Sequence, residues 1–212
     1  PLTVKTATLA NPSQGTLALV GSNWVFTSAP GVSGPVVINY TIVDQDGGTD
    51  SATHTLNVAN QPPVLVDPDP TPGTPGVDPT DPTNLIVPAV DNVPVSVDLN
   101  DYFDDPNTSD TLTITPDLTG LPAWVTYDAG TGVLGGTPPV DNVGPVTIPV
   151  TVSDGKGGTL NATVTINPVN PGPDAVDDSQ AVVPGVATAV TLLANDTDPD
   201  GAPLTGASAT LG

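Results

Sequence analysis

The stretch Val146-Thr147-Ile148-Pro149-Val150-Thr151-Val152-Ser153-Asp154-Gly155-Lys156-Gly157-Gly158-Thr159 decides the fold. Its apolar residues Val146, Ile148, Val150 and Val152 recur at every second position, the period of a strand with one buried face. An Asp/Gly turn follows, then a second strand, so the stretch reads as a β-hairpin. The same hairpin stands 110 residues earlier. Gly34-Pro35-Val36 and Ile38 recur as Gly144-Pro145-Val146 and Ile148, while Asp44, Gly47-Gly48-Thr49, Ala52-Thr53, Thr55 and Asn57 recur as Asp154, Gly157-Gly158-Thr159, Ala162-Thr163, Thr165 and Asn167. A match of this extent at one offset marks a tandem arrangement of a single supersecondary unit.

Composition agrees with an all-β chain. All 23 acidic residues among the 212 are Asp, a residue that favours turns, caps and metal ligation over helix. Only Lys5 and Lys156 oppose them, giving a formal charge of -21. Nucleic acid is excluded as a partner, because binding needs Lys and Arg to displace counterions from phosphates. So much negative charge repels itself in a compact fold unless cations relieve it, which points to calcium-rich extracellular surroundings. Cys and Met are absent, so neither disulfides nor zinc thiolates staple the structure. No apolar run approaches the roughly 18 residues that span a bilayer, and no membrane insertion is expected. Pro1-Leu2-Thr3-Val4 shows no charged leader region, so secretion is inferred from composition alone.

A second repeat has an offset of 202: Pro1-Leu2-Thr3 and Ala7-Thr8-Leu9 recur as Pro203-Leu204-Thr205 and Ala209-Thr210-Leu211. In an array of this period, the residues before 203 begin a sandwich that residues 1-60 of the next copy complete, with a combined length of about 93, that of one Ig-like domain. The expected organisation is the C-terminal part of one sandwich at 1-60, a Pro/Asp/Thr-rich linker at 61-83, a complete sandwich at 84-168 and the N-terminal part of the next at 169-212. The linker, with Asp67-Pro68-Asp69-Pro70-Thr71-Pro72 and Asp78-Pro79-Thr80-Asp81-Pro82, favours extended polyproline II.

The middle segment resembles a dystroglycan-type cadherin-like domain in Tyr102-Phe103-Asp104-Asp105-Pro106, Asp110-Thr111-Leu112-Thr113, Leu121-Pro122-Ala123-Trp124-Val125, Gly135-Gly136-Thr137-Pro138 and Val152-Ser153-Asp154-Gly155. The tail Asn195-Asp196-Thr197-Asp198-Pro199-Asp200-Gly201 and the head Tyr40-Thr41-Ile42-Val43-Asp44-Gln45-Asp46-Gly47-Gly48-Thr49-Asp50 resemble two halves of the cadherin-like repeats of giant bacterial surface adhesins. The resemblance implies tandem Ig-like or cadherin-like β-sandwiches, one complete and one split between the chain's two ends. It also implies an extender role, with folding outside the cell on calcium.

Asp196, Asp198 and Asp200 with Gly201 match the opening of a calcium loop, but its twelfth position is Ala207 and not a bidentate Glu. The missing oxygens are expected from Asp44, Asp46 and Asp50 in the hairpin turn of the completed domain. In the middle domain Asp104, Asp105 and Asp110 are expected to face Asp154, with Lys156 where the other copy has Asp46, an ammonium that weakens the site or replaces part of the cation's charge. The competing reading of all these residues is Asp-rich turns that cap their own backbone. Trp24 and Trp124 are expected to pack, and His54, without a second His or a Cys, is a strand residue. No catalytic group is expected.

The leading expectation is a calcium-stiffened stalk segment of a repetitive cell-surface protein, whose partners are neighbouring repeats. The first alternative is a filament subunit assembling head to tail by completing the split sandwich between chains. The second is a carbohydrate-binding module, which needs Trp24, Trp124 or Tyr127 exposed on one face.

Overall fold

The computed structural model describes residues 1–108, 110–140 and 144–206; Ala207 of the candidate loop and Ala209, Thr210 and Leu211 of the second repeat lie outside them. Among the described residues the protein is all-β, with two single-turn 3-10 segments and no α-helix. With 27 Pro and 22 Gly in 212 residues, few stretches escape a helix breaker.

The chain divides into two compact units. The first comprises residues 1–66, 103–115 and 151–161. Its main sheet has the order β1-β4-β5, from β1 (Thr3–Leu9), β4 (Gly34–Val43) and β5 (Thr49–Val58). β4 and β5 form the first expected hairpin, antiparallel from Gly34↔Val58 to Val43↔Thr49. A separate hairpin joins β2 (Gly15–Val20) to β3 (Asn23–Ser28), with Val20 opposite Asn23 and Gly21 at φ 63 in the turn. Among residues 1–60 only Val36 and Ile38 are buried, so this sheet has an inner face that is scarcely covered.

The second unit comprises residues 67–102, 116–150 and the chain from Ala162. Two sheets build it. One has the order β11-β14-β15-β8-β7, from β7 (Gly76–Asp78), β8 (Asp81–Val90), β11 (Thr113–Pro116), β14 (Val146–Ser153) and β15 (Thr159–Val169). β11 as far as Thr115 and the turn-proximal ends of β14 and β15 belong to the first unit. The other sheet has the order β12-β13-β9, from β9 (Val95–Asp98), β12 (Thr126–Asp128) and β13 (Val133–Gly136). β14 is buried at Val146, Ile148, Val150 and Val152, the alternation that its sequence dictates. Leu85, Leu99, Leu134, Ile148 and Ile166 are the largest fully buried side chains of this unit, an aliphatic core in keeping with the scarcity of aromatics.

Two features go beyond the sequence reading. β15 pairs β8 in parallel, from Thr163↔Asn84 to Val169↔Val90. The 61–83 stretch also carries sheet pairing: Val64 and Leu65 (β6) pair with Asp104 and Phe103 (β10, Phe103–Asp104), and β7 pairs with β8. Prolines remove only their own N–H, and the residues between them still donate. Elsewhere in this stretch Asp67, Asp69 and Asp78 accept from backbone amides two residues on, which fixes tight Asx turns.

Gly135-Gly136 has a steric cause. Gly136 sits at φ 146, and a Cβ there would stand 1.8 Å from the carbonyl oxygen of Trp124. Gly136→Ala is therefore expected to cost about 3 kcal/mol, at the upper end for overpacking, read as a lower urea midpoint with an unchanged slope.

Candidate metal centre

The centre grows from the turn between β14 and β15. Asp154 Oδ1 accepts from the amides of Lys156 (2.7 Å) and Gly158 (3.0 Å), closing the turn from within. Asp44 does the same in the first hairpin, accepting from Asp46 (3.0 Å) and Gly48 (2.7 Å). The recurring Asp thus has a capping duty in both copies. Asp154, however, is buried and Asp44 is exposed.

Around Asp154 the first unit gathers more oxygen. Asp105 is 3% exposed; its Oδ1 accepts from Asn107 N (2.6 Å), and its Oδ2 is buried without a partner. Asp110 donates its amide to the Asn107 carbonyl (2.8 Å), which turns its carboxylate inward. One carboxylate oxygen each from Asp105, Asp110 and Asp154 lies within 4.8 Å of the others. The Lys156 ammonium pairs with Asp110 Oδ1 while remaining half-exposed. Asp104 stays at the surface, where its carboxylate accepts from Asp105 N (2.8 Å).

Sequence reasoning missed Asn60 and Asn107. Asn60 Nδ2 donates to Asp154 Oδ2 (2.5 Å), and Asn60 Oδ1 is buried without a partner. Asn107 is buried; its Oδ1 accepts from Gln61 N (2.8 Å) and its Nδ2 donates to Val32 O (3.4 Å). A signal was available, because the 110-residue repeat runs on past Asn57 and Asn167 to Asn60 and Asn170.

The second unit holds the other predicted carboxylates. Asp196 Oδ1 accepts from Val176 N (2.8 Å), Asp198 Oδ1 from Asp200 N (3.2 Å) and Asp200 Oδ1 from Ala202 N (2.9 Å). Asp200 is buried, Asn92 Nδ2 donates to its carbonyl (2.6 Å), and the Asn170 amide nitrogen reaches its Oδ2 (2.8 Å). Asp91, also buried here, has an Oδ1 without a partner. Asp46 and Asp50 remain exposed in the first hairpin, Asp50 accepting from Ser51 N (2.8 Å).

The electrostatics of the two sets differ. Burial pushes the Asp154 carboxyl up, but the donors Lys156 N, Asn60 Nδ2 and Gly158 N together outweigh it and hold it below the ordinary carboxylate range. Asp198 is pushed above that range, first by a side-chain hydrogen bond to Asp200 and then by burial.

The Asp105-Asp110-Asp154 set fits a hard divalent ion: every donor is oxygen, and Asp105 Oδ2 and Asn60 Oδ1 are buried with coordination capacity to spare. Of the other singled-out side chains, Trp24, His54 and Tyr127 lie in strands and Trp124 in the turn before β12, and Trp24, expected to pack, is instead exposed. Trp24 (37% exposed) and His54 line a cleft in the first unit, while Trp124 and Tyr127 are half-buried in the second.

Comparison with known proteins agrees with this architecture. Residues 74–169 match a family described as "Putative Ig domain", and residues 1–57 match one described as "Bacterial Ig domain". No curated protein sequence matches the chain. Solved structures similar to it include human CDH23 EC21-23 (14% identity, TM-score 0.44, covering 95% of this chain and 69% of that one) and Drosophila N-cadherin EC1-4 (14%, 0.35, 80% and 41%). Another is an endo-fucoidan hydrolase of glycoside hydrolase family 107, MfFcnA4 (22%, 0.34, 78% and 24%). The chain spans about a quarter of the length of the fucoidan hydrolases.

Proposed function

We propose that the chain is a structural spacer of an extracellular, repetitive surface protein of the bacterial adhesin kind, stiffened by calcium. The observation that carries this reading is the buried cluster of Asp105, Asp110 and Asp154 tied to Asn60. Asn60 lies between the two segments that match Ig families, and Asp154 lies inside the second. Asp105, Asp110, Asp154 and Asn60 would hold the ion, which supplies positive charge where three carboxylates converge. Calcium wants six to eight oxygens, so its binding draws such a connection tight, and a chain of tight connections transmits length. The charge of -21 supports the same reading, since it is best relieved where calcium is abundant. The aspartates sit in strand-end turns and serve architecture, and we assign the chain no reaction.

Calcium removal tests this. With calcium at a hundredfold excess over its Kd, linkage adds about 2.7 kcal/mol of stability. The melting temperature is expected to fall when EGTA replaces calcium, with saturable heat on back-titration. Identical melts and no binding heat would sink the proposal.

A further inference from the structure

Two carboxylates of the second unit are buried with no positive side chain to answer them. Asp91 and Asp200 are each 1% exposed. The segments that make up this unit contain no Lys, Arg or His, and the chain's Lys5, His54 and Lys156 all lie in the first unit. A buried carboxylate is kept only when it is paired or holds a metal, because its desolvation is otherwise uncompensated. The backbone brings both residues to one corner. Asp91 follows β8, and its amide donates to Val169 O (3.1 Å), next to Asn170. Asn92 adopts a left-handed φ of 55, and its Nδ2 donates to Asp200 O (2.6 Å). Asp198 Oδ1 accepts from Asp200 N (3.2 Å), the same turn that Asp105 and Asn107 make in the first unit (2.6 Å). Asp200 thus stands where the first unit has the neutral Asn107, and it adds a charge.

Two side chains in this corner point to a ligand. Asp91 Oδ1 is buried without a partner. One end of the Asn170 amide meets only acceptors, Asp200 Oδ2 at 2.8 Å and Pro171 O at 3.0 Å. With its nitrogen inward the amide bridges those two oxygens, and with its oxygen inward it completes a group of three. The geometry points to a second cation centre, formed by Asp91, Asp200 and Asn170, that takes a hard divalent ion of the calcium class. Every donor is oxygen, and Pro171 O is placed to add a backbone ligand. Asn170 is exposed, which gives the ion a way in from solvent. With two carboxylates instead of three, the centre is expected to bind more weakly than the first. It shares no residue with Asn60, Asp105, Asp110 and Asp154, so it stands or falls independently of the function proposed above.

Calorimetric titration of calcium into the 212-residue chain counts the ions. The wild type is expected to bind one ion more than Asp91→Asn, which keeps the side chain's shape and removes its charge. It is likewise expected to bind one more than Asp110→Asn, which disables the first centre. Asn170→Ala, at an exposed side chain, leaves the fold intact and is expected to weaken the second ion about tenfold while the first is unchanged. If Asp91→Asn binds as many ions as the wild type, the second centre is overturned and the first is untouched. An ion lost with Asp91→Asn and none lost with Asp110→Asn supports the second centre and removes the first. Should Asp91→Asn not fold, Asn170→Ala decides, and a titration identical to that of the wild type overturns the proposal.

Discussion

Asp154→Ala is expected to abolish the first centre's share of the calcium-dependent rise in melting temperature and to destabilise the metal-free protein by about 3 kcal/mol, the loss expected when buried donors are left unsatisfied. Three donors lose their acceptor together: Lys156 N, Gly158 N and Asn60 Nδ2. The control is Asp44→Ala, which removes the same two amide bonds from an exposed turn. That change is expected to cost about 1 kcal/mol, the ordinary value for a lost cap. Urea titration of both variants, with and without calcium, separates the two duties of the residue. Equal costs, and a calcium shift undiminished by Asp154→Ala, would leave turn capping as the whole role of these aspartates.

Lys156→Gln is expected to move the two states in opposite directions. In the metal-free protein the ammonium pairs with Asp110 and is the only cation near three converging carboxylates among the described residues. Removing one partner of a buried pair costs about 3–5 kcal/mol. The half-exposed Lys156 end is screened by water, which lowers the figure to about 2 kcal/mol. In the calcium form the same ammonium is a rival that must be displaced, so its loss is expected to tighten binding about tenfold, or ~1.4 kcal/mol. Calorimetric titration and melts in EGTA read both effects. Weaker calcium binding in Lys156→Gln would mean that the ammonium helps to assemble the site.

The hairpins were legible because alternation and an Asp/Gly turn are local properties, and Val146 to Val152 alternate in burial as they do in sequence. Of the four carboxylates expected to face one another, Asp105, Asp110 and Asp154 come together and Asp104 stays at the surface. Asn60 was not legible, because its role depends on where the chain passes 94 residues before Asp154, and local pattern carries no such distance. The same limit hid the partner of β15: a strand's period fixes which face is buried, but not that Val164 lies beside Leu85 in parallel. Prolines in the 61–83 stretch masked strands as short as β6, where pairing is decided by the partner rather than by propensity.

The parallel ladder between β8 and β15 has a mechanical consequence. Tension along the polypeptide enters β8 at its first residues and leaves β15 at its last, which lie at opposite ends of a register running from Asn84↔Thr163 to Val90↔Val169. The load therefore acts along the strands and shears the whole row of hydrogen bonds at once, where an antiparallel hairpin pulled at its open end would unzip one bond at a time. The segment between these strands is thus clasped against stretching by its own first and last strands.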